Sequence, residues 1–212
     1  MSNTHIFTKR EEVANAIIHG IGALLSVAAL VILIVSSVMH GTVWHVVSFT
    51  LFGATMVLLY VSSTLVHGFP AGRAKDVFEI FDHSSIYFFI AGTYTPLLFL
   101  AVKGTLGWTL FGIVWGLAIV GTVFKAYFVK RFLHMSTLMY ILMGWLIVFA
   151  WNPLVSNMSS QGLILLAIGG LLYTVGAVFY VWRGFTYHHA VWHIFVLAAS
   201  VLHFFAVMTL LP

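Results

Sequence analysis

Four ionisable residues interrupt an otherwise apolar sequence, and together they have the chemistry of a metal site. His67, Asp82, His189 and His193 each lie near the end of a predicted membrane-spanning helix. Ionisable side chains are costly inside a bilayer and usually face a bundle interior or a polar cavity. Three imidazoles and a carboxylate that meet at one membrane face can bind a metal ion. The predicted helices must therefore bring these residues to a common depth.

The two histidines of the last predicted helix have the spacing of a bidentate ligand pair. His189 and His193 are four residues apart, so both rings lie on one helical face, one turn apart. The same face continues through Ser200 and His203, which predicts that it points inward. His203 is about 21 Å from His189 along the axis at ~1.5 Å per residue, too deep to join the site. The pair alone is equally typical of histidines that pack or snorkel at the headgroups.

Two further candidates lie where the second predicted helix ends and the third begins. Ser63 and His67 share one face, with the hydroxyl a turn deeper, and Asp82 opens the third helix. Taken singly, Asp82 is an ordinary carboxylate at a helix N-terminus and His67 an interfacial residue. Their shared depth with the paired histidines favours a common site.

The first helix contributes a possible supporting shell. Glu12, Asn15 and His19 lie on one face at the same membrane side. Metal-bound imidazoles usually donate their second N–H to such groups, so these residues would orient ligands or tie this helix to the site. A cap region among the headgroups is the alternative. The remaining histidines are interpreted as loop or interface residues (His5, His40, His45, His134) or as facing away from the site (His83, His188).

The composition assigns the chain to the all-α integral membrane proteins. Hydrophobic residues make up 62% of the sequence and charged residues 7%, and the mean hydropathy is +1.09. These values exclude a water-soluble domain. Apolar stretches long enough to span the bilayer predict a seven-transmembrane-helix bundle: 16–39, 43–67, 83–102, 106–128, 134–151, 161–182 and 188–211. Short connections predict one bundle over 15–212 after a short cytoplasmic tail, 1–14.

The distribution of basic residues predicts the orientation. The tail and the connections after the second, fourth and sixth spans hold Lys9, Arg10, Arg73, Lys75, Lys125, Lys130, Arg131 and Arg183, whereas the other side holds only Lys103. Positive charge stays in the cytoplasm, so the amino terminus is predicted inside and the carboxyl terminus outside a cell membrane. The net charge of +4 therefore reflects topology, and no nucleic-acid partner is expected. Because cysteine is absent, a metal would have nitrogen and oxygen ligands.

The motifs, in order over nearly the whole chain, resemble the bacterial hemolysin III branch of the progestin and adipoQ receptor family. They are Glu12-x-x-Asn15-x-x-x-His19, Ser63-x-x-x-His67, Asp82-His-Ser-Ser-Ile-Tyr with Gly92-Thr-Tyr-Thr-Pro96, and His189-x-x-x-His193. The resemblance implies seven helices, an inside amino terminus and zinc held by His67, His189 and His193, with Asp82 holding the water at the zinc. The superfamily includes alkaline ceramidases, whose serine and aspartate motifs match Ser63 and Asp82. Adiponectin recognition is not implied, since the eukaryotic N-terminal extension is nearly missing.

The function predicted from this site is zinc-dependent hydrolysis of a lipid amide or ester at the inner leaflet. Three imidazoles leave the fourth zinc position open, as in catalytic sites. Asp82 would act as the base and Ser63 would hydrogen-bond the oxyanion. Two alternatives stay open, a non-enzymatic lipid sensor or receptor with a structural zinc, and a hemolysin III-type cytolysin. A membrane lipid is the expected partner, as substrate or as ligand.

Overall fold

The computed structural model describes residues 7–212, and within that range the chain is helical throughout, without β-strands. Seven segments are long and apolar enough to cross a membrane, which confirms the predicted fold class. A helix suits these apolar segments because it pairs its backbone polar groups internally, as a lipid environment requires. The helices are α1 (Lys9–His40), α2 (Val43–Gly68), α3 (Arg73–Pro96), α4 (Gly104–Phe128), α5 (Leu133–Trp145), α6 (Trp151–Asn157), α7 (Ser160–Val181) and α8 (His188–Met208).

Two helices begin earlier than their apolar stretches predict. Helix α1 begins at Lys9 rather than near residue 16, because Thr8 and Glu11 form a capping box. Helix α3 begins at Arg73 rather than near residue 83, because its polar first turns contain good helix formers. Asp82 therefore lies inside α3, and its interpretation as an N-terminal helix carboxylate was wrong. Hydropathy detects the apolar part of a helix and misses a polar extension.

Helix α3 lies at the centre of the bundle. Helix α1 packs on α2, α2 on α3 and α3 on α4, while α8 packs on both α7 and α1. The third span, which continues α3 to Val102, is 72% buried in its most apolar part, against 22% for α1. Its polar side chains therefore face other helices, whereas α1 exposes apolar side chains such as Leu24 to the lipid.

The fifth span is broken in its middle. Helices α5 and α6 are joined by a 3₁₀ segment, Leu146–Ala150. Pro153 in α6 cannot donate a backbone hydrogen bond, and its ring clashes with the carbonyl four residues earlier, which explains the break. The Tyr94 hydroxyl lies 2.9 Å from the Met143 carbonyl and 2.7 Å from that of Gly144. It also accepts the Ile147 N–H at 2.7 Å, so one side chain satisfies the backbone at this break.

The starts of α1, α3, α5 and α8 and the ends of α2, α4 and α7 form one side of the bundle, called here the N-terminal side. Most basic residues on this side lie in helix ends rather than in loops. Lys125, predicted in a loop, lies in α4 and is fully buried, and its Nζ has no hydrogen-bond partner among residues 7–212. Lys130, between α4 and α5, donates to the Asp76 carboxylate at 2.6 Å, which raises the pKa of the lysine. The cytoplasmic location of this side stays a prediction.

Candidate metal centre

Three histidines from two helices converge at the N-terminal side. His67 lies in the last turn of α2, and His189 and His193 lie in the first turns of α8. One nitrogen from each ring can be chosen so that all three lie within 4.8 Å of one another. Their ring centroids are 4.4 to 5.2 Å apart. The structure thus brings together the three residues that the sequence predicted as metal ligands.

Glu12 of α1 determines which nitrogen of His67 is available. Its Oε2 lies 2.6 Å from His67 Nδ1. Since a carboxylate accepts, Nδ1 carries the proton and Nε2 has a free lone pair. That Nε2 is buried and finds no partner in the described part of the chain. Lys75 donates to the other Glu12 oxygen at 2.8 Å and fixes the carboxylate from the opposite side. A carboxylate bound to the far nitrogen of a ligand imidazole is the usual arrangement at metal sites.

His19 and Asn15 lie beside this cluster without entering it. The His19 ring stacks on His193, with centroids 3.5 Å apart and planes 16° apart. The Tyr60 ring meets His19 edge-on at 5.0 Å. Asn15, one turn earlier on α1, is fully buried. The side-chain nitrogens and oxygen of both residues lack hydrogen-bond partners within residues 7–212. His19 therefore restricts the rotation of the His193 ring by packing against its face.

Asp82 and Ser63 line a cavity that is also lined by His189 and His193. The cavity has a volume of about 200 Å³ and extends to His203. The side chain of Asp82 is 15% exposed. Ser63 is buried, and its Oγ has no partner in the described residues. Neither residue belongs to the group of close metal-ligand atoms. Both groups thus face the space in front of the histidines.

The cavity is mainly apolar and borders the lipid-facing surface. Most of its lining comes from α3, the fifth span, α7 and α8. Along the broken fifth span the lining includes Trp145, Val148 and Trp151, which are 38%, 50% and 53% exposed on the bundle surface. The hydrocarbon chain of a membrane lipid can therefore approach the cavity between the fifth span and α7.

Comparison with known proteins identifies the family. Residues 7–204 match the model of the family described as "Haemolysin-III related". The chain belongs to this family. It is 54% identical over 203 residues to "Hemolysin-3 homolog" of Bacillus subtilis (strain 168), covering 96% of this chain and 95% of that protein. It is 52% identical over 199 residues to "Hemolysin-3" of Bacillus cereus, covering 94% and 91%.

A human protein is also similar to this haemolysin-III-related chain. "Monocyte to macrophage differentiation factor" of Homo sapiens is 30% identical over 171 residues, covering 77% of this chain and 70% of that protein. The human relative is a member of the progestin and adipoQ receptor family, so the resemblance noted from the motifs is confirmed. With seven candidate spans, the family assignment makes the chain a multi-pass cell-membrane protein. A link to alkaline ceramidases stays a prediction.

Sequence reasoning missed Glu11, the neighbour of Glu12. Its Oε1 accepts the Tyr187 N–H at 2.9 Å, and its Oε2 accepts the Thr8 N–H at 2.9 Å. Tyr187 has a left-handed φ of 64° directly before α8, where a carboxylate is favoured by the helix dipole. The two glutamates thus connect α1 to both helices that carry the histidine cluster. The Thr8-x-x-Glu11 capping pattern was the available signal, but it reveals no contact with Tyr187.

One assignment of the remaining histidines was wrong. His83 was expected to face away, but it lines the same cavity as Asp82 and bonds to the Tyr180 hydroxyl at 3.1 Å. The central position of α3 explains this, since neighbouring residues can both face cavity space. His45, interpreted as a loop or interface residue, lies in the first turn of α2, where it is buried and its Nε2 donates to the Leu210 carbonyl at 3.1 Å. His188 is buried outside the ligand group, His40 and His134 are exposed, and His5 lies outside the described residues.

Proposed function

We propose that this haemolysin-III-related protein is a zinc-dependent hydrolase of a lipid amide or ester. The observation that carries the proposal is a cluster of three histidines, two of which, His189 and His193, line an apolar cavity that borders the lipid-facing surface. Asp82 and Ser63 add an acid–base group and a hydroxyl to the same cavity. A hydrolytic site for a water-soluble substrate has no need of an opening toward the membrane.

The residues present fit a zinc ion. The donors are three imidazoles, and zinc in catalytic sites is typically held by three protein ligands with one position left open. His67 Nε2 is buried without a partner among residues 7–212. Burying an unpaired polar nitrogen is unfavourable, and a metal bond removes that penalty. Zinc held there would supply Lewis acidity to a carbonyl and to water.

The protein's own side chains would transfer the proton, stabilise the developing negative charge and orient a ligand histidine. Asp82 accepts a proton from the attacking water and returns it to the leaving amine or alkoxide. The Ser63 hydroxyl has no hydrogen-bond partner within residues 7–212. It donates to the oxygen of the scissile carbonyl as negative charge develops there. Glu12 holds His67 in one tautomer and one orientation. The apolar cavity walls bind the hydrocarbon chain and limit the access of bulk water.

The position of the site in the membrane supports a lipid substrate. The histidines lie at the N-terminal side, where the predicted orientation places the inner leaflet. A lipid carbonyl lies near that depth, at the boundary between headgroups and hydrocarbon. The motif resemblance to alkaline ceramidases favours an amide, and the cavity itself accepts either an amide or an ester.

The test is hydrolysis per bound zinc in a lipid bilayer mimic. Zinc content and turnover of a ceramide and a matched ester lipid are measured for wild type, Asp82→Asn and Ser63→Ala. Asp82→Asn should retain zinc and lose about 10²–10⁴-fold in turnover, and Ser63→Ala should lose roughly 10-fold or more. Asp76→Asn is the matched control, because Asp76 is an exposed carboxylate on the same helix that pairs with Lys130. Equal turnover per zinc in all four proteins would favour the sensor with a structural zinc.

A second candidate function is membrane lysis, favoured by the 52% identity to the Bacillus cereus protein named "Hemolysin-3". Release of haemoglobin from red cells by purified protein measures it. If lysis follows from lipid hydrolysis, Asp82→Asn should abolish both activities together. Lysis that Asp82→Asn leaves intact would separate the two functions.

A further inference from the structure

A second polar cluster lies deep among apolar helices, and two of its members, Tyr173 and His203, line the cavity. The Tyr60 hydroxyl donates to Ser200 Oγ at 2.8 Å, and the Tyr173 hydroxyl lies 2.8 Å from the same atom. Ser200 donates in turn to the Val196 carbonyl at 2.9 Å. The His203 ring meets the Tyr173 ring edge-on at 5.3 Å. The three hydroxyl groups of this cluster therefore have hydrogen-bond partners.

One polar atom of this cluster, a ring nitrogen of His203, has no hydrogen-bond partner among residues 7–212. Its Nε2 lies 3.2 Å from the Leu166 carbonyl, and a carbonyl only accepts, so Nε2 carries the proton. In a neutral ring the other nitrogen, Nδ1, is then an acceptor. It has no partner in the described part of the chain, although the residue is only 7% exposed. A buried acceptor is unfavourable unless a donor reaches it. The group that fits Nδ1 is therefore an O–H or N–H donor.

The backbone of α7 is shaped to admit this ring. A methyl group at Gly169 would overlap the His203 side chain. The absence of a side chain at position 169 thus allows the imidazole to reach the Leu166 carbonyl, which fixes the tautomer. His203 and Tyr173 line the same cavity as His189 and His193. One ligand can consequently touch the histidine cluster and His203 together.

We propose that His203 Nδ1 accepts a hydrogen bond from a hydroxyl group carried on the hydrocarbon chain of the bound lipid. His203 lies about 15 Å from His193 along α8, at ~1.5 Å per residue. An extended chain advances ~1.2 Å per bond, as the peptide backbone does over its three bonds per residue. The hydroxyl is therefore expected roughly 12 bonds from the carbonyl at the histidines. The placement of that carbonyl rests on the proposed function, whereas the hydrogen bond does not.

Binding of free fatty acids tests this subsite without requiring turnover. Three acids of equal length are compared on the purified full chain by displacement of a fluorescent fatty acid: unsubstituted, hydroxylated about 12 carbons from the carboxyl group, and hydroxylated next to it. Wild type should bind the second acid about 3- to 10-fold more tightly than the first, as expected for one net hydrogen bond. The third acid should gain nothing from His203, because its hydroxyl lies at the other end of the cavity.

Variants test whether the His203 imidazole causes the preference for the distally hydroxylated acid. His203→Phe should lose the preference for the distally hydroxylated acid over the unsubstituted acid. His203→Asn, which retains an acceptor oxygen near the position of Nδ1, should keep part of it. Gly169→Ala should displace the ring and weaken the preference. Gly116→Ala, where an added methyl group meets open space, is the matched control.

The outcomes separate this proposal from the hydrolase proposal. Equal affinities of wild type for the unsubstituted and the distally hydroxylated acid would overturn the subsite and leave water as the partner of Nδ1. A preference that persists in His203→Phe would also overturn it. If wild type prefers the distally hydroxylated acid but hydrolyses no lipid, the subsite is supported and the hydrolase proposal is refuted. If it hydrolyses lipid but shows no such preference, the hydrolase proposal is supported and the subsite is refuted.

Discussion

The hydrogen bond between Glu12 and His67 predicts how strongly α1 controls metal affinity. The two atoms are 2.6 Å apart, and the Glu12 side chain is 20% exposed. A short charge-assisted bond of this kind is stronger than a neutral one. It fixes the protonated nitrogen of His67 and makes Nε2 a better donor to a metal. Loss of such an outer partner typically reduces metal affinity about 10- to 100-fold, or roughly 1.4–2.7 kcal/mol.

Two substitutions at Glu12 should give graded effects. Glu12→Gln keeps an amide oxygen that can still accept from His67, so zinc affinity should fall about 10-fold. Glu12→Ala removes the acceptor and leaves the Lys75 ammonium without this partner, so the fall should approach about 100-fold. Glu79→Gln is the control, because Glu79 is also 20% exposed at the N-terminal side but contacts Lys130 instead of the cluster.

The assay is competition for zinc against a chromophoric chelator, with the purified protein in detergent or nanodiscs. Thermal unfolding of the metal-free proteins is measured in parallel, to separate loss of metal affinity from loss of fold. Equal zinc affinities of wild type, Glu12→Gln and Glu79→Gln would refute the reasoning. The His67 ring would then be oriented by helix packing alone.

Three further predictions concern the metal, the orientation and the broken span. One zinc should copurify with each chain, and the double variant His189→Ala/His193→Ala should lose it, whereas His40→Ala at the other side should not; full zinc occupancy in the double variant would contradict the assignment. An enzyme reporter active only outside the cytoplasm should be active when fused after Pro212, and inactivity there would reverse the predicted orientation. Tyr94→Phe should lower the free energy of unfolding by about 1–3 kcal/mol, because backbone groups at the break lose their partner; an unchanged unfolding transition would count against this role.

Much of this protein could be predicted from local features of the sequence. Each span is a continuous apolar stretch of about 20 residues, and a helix pairs the polar backbone groups of such a segment internally, so seven helices follow from hydropathy. The ligand pair follows from the spacing of His189 and His193, since residues four apart share a helical face. The family resemblance followed from short motifs that keep their order along the chain. These signals need no knowledge of which helix touches which.

Only the tertiary structure decided the contacts between helices distant in sequence. It placed α3 at the centre, which brought His83 into the cavity beside Asp82. It joined Glu11 to Tyr187, a contact for which the capping pattern gives no indication. It also fixed the tautomer of His203 through a carbonyl of a neighbouring helix. Hydropathy and periodicity report how apolar a helix face is. The polar atom that a buried side chain meets depends on the neighbouring helix, and packing of the whole bundle sets that neighbour.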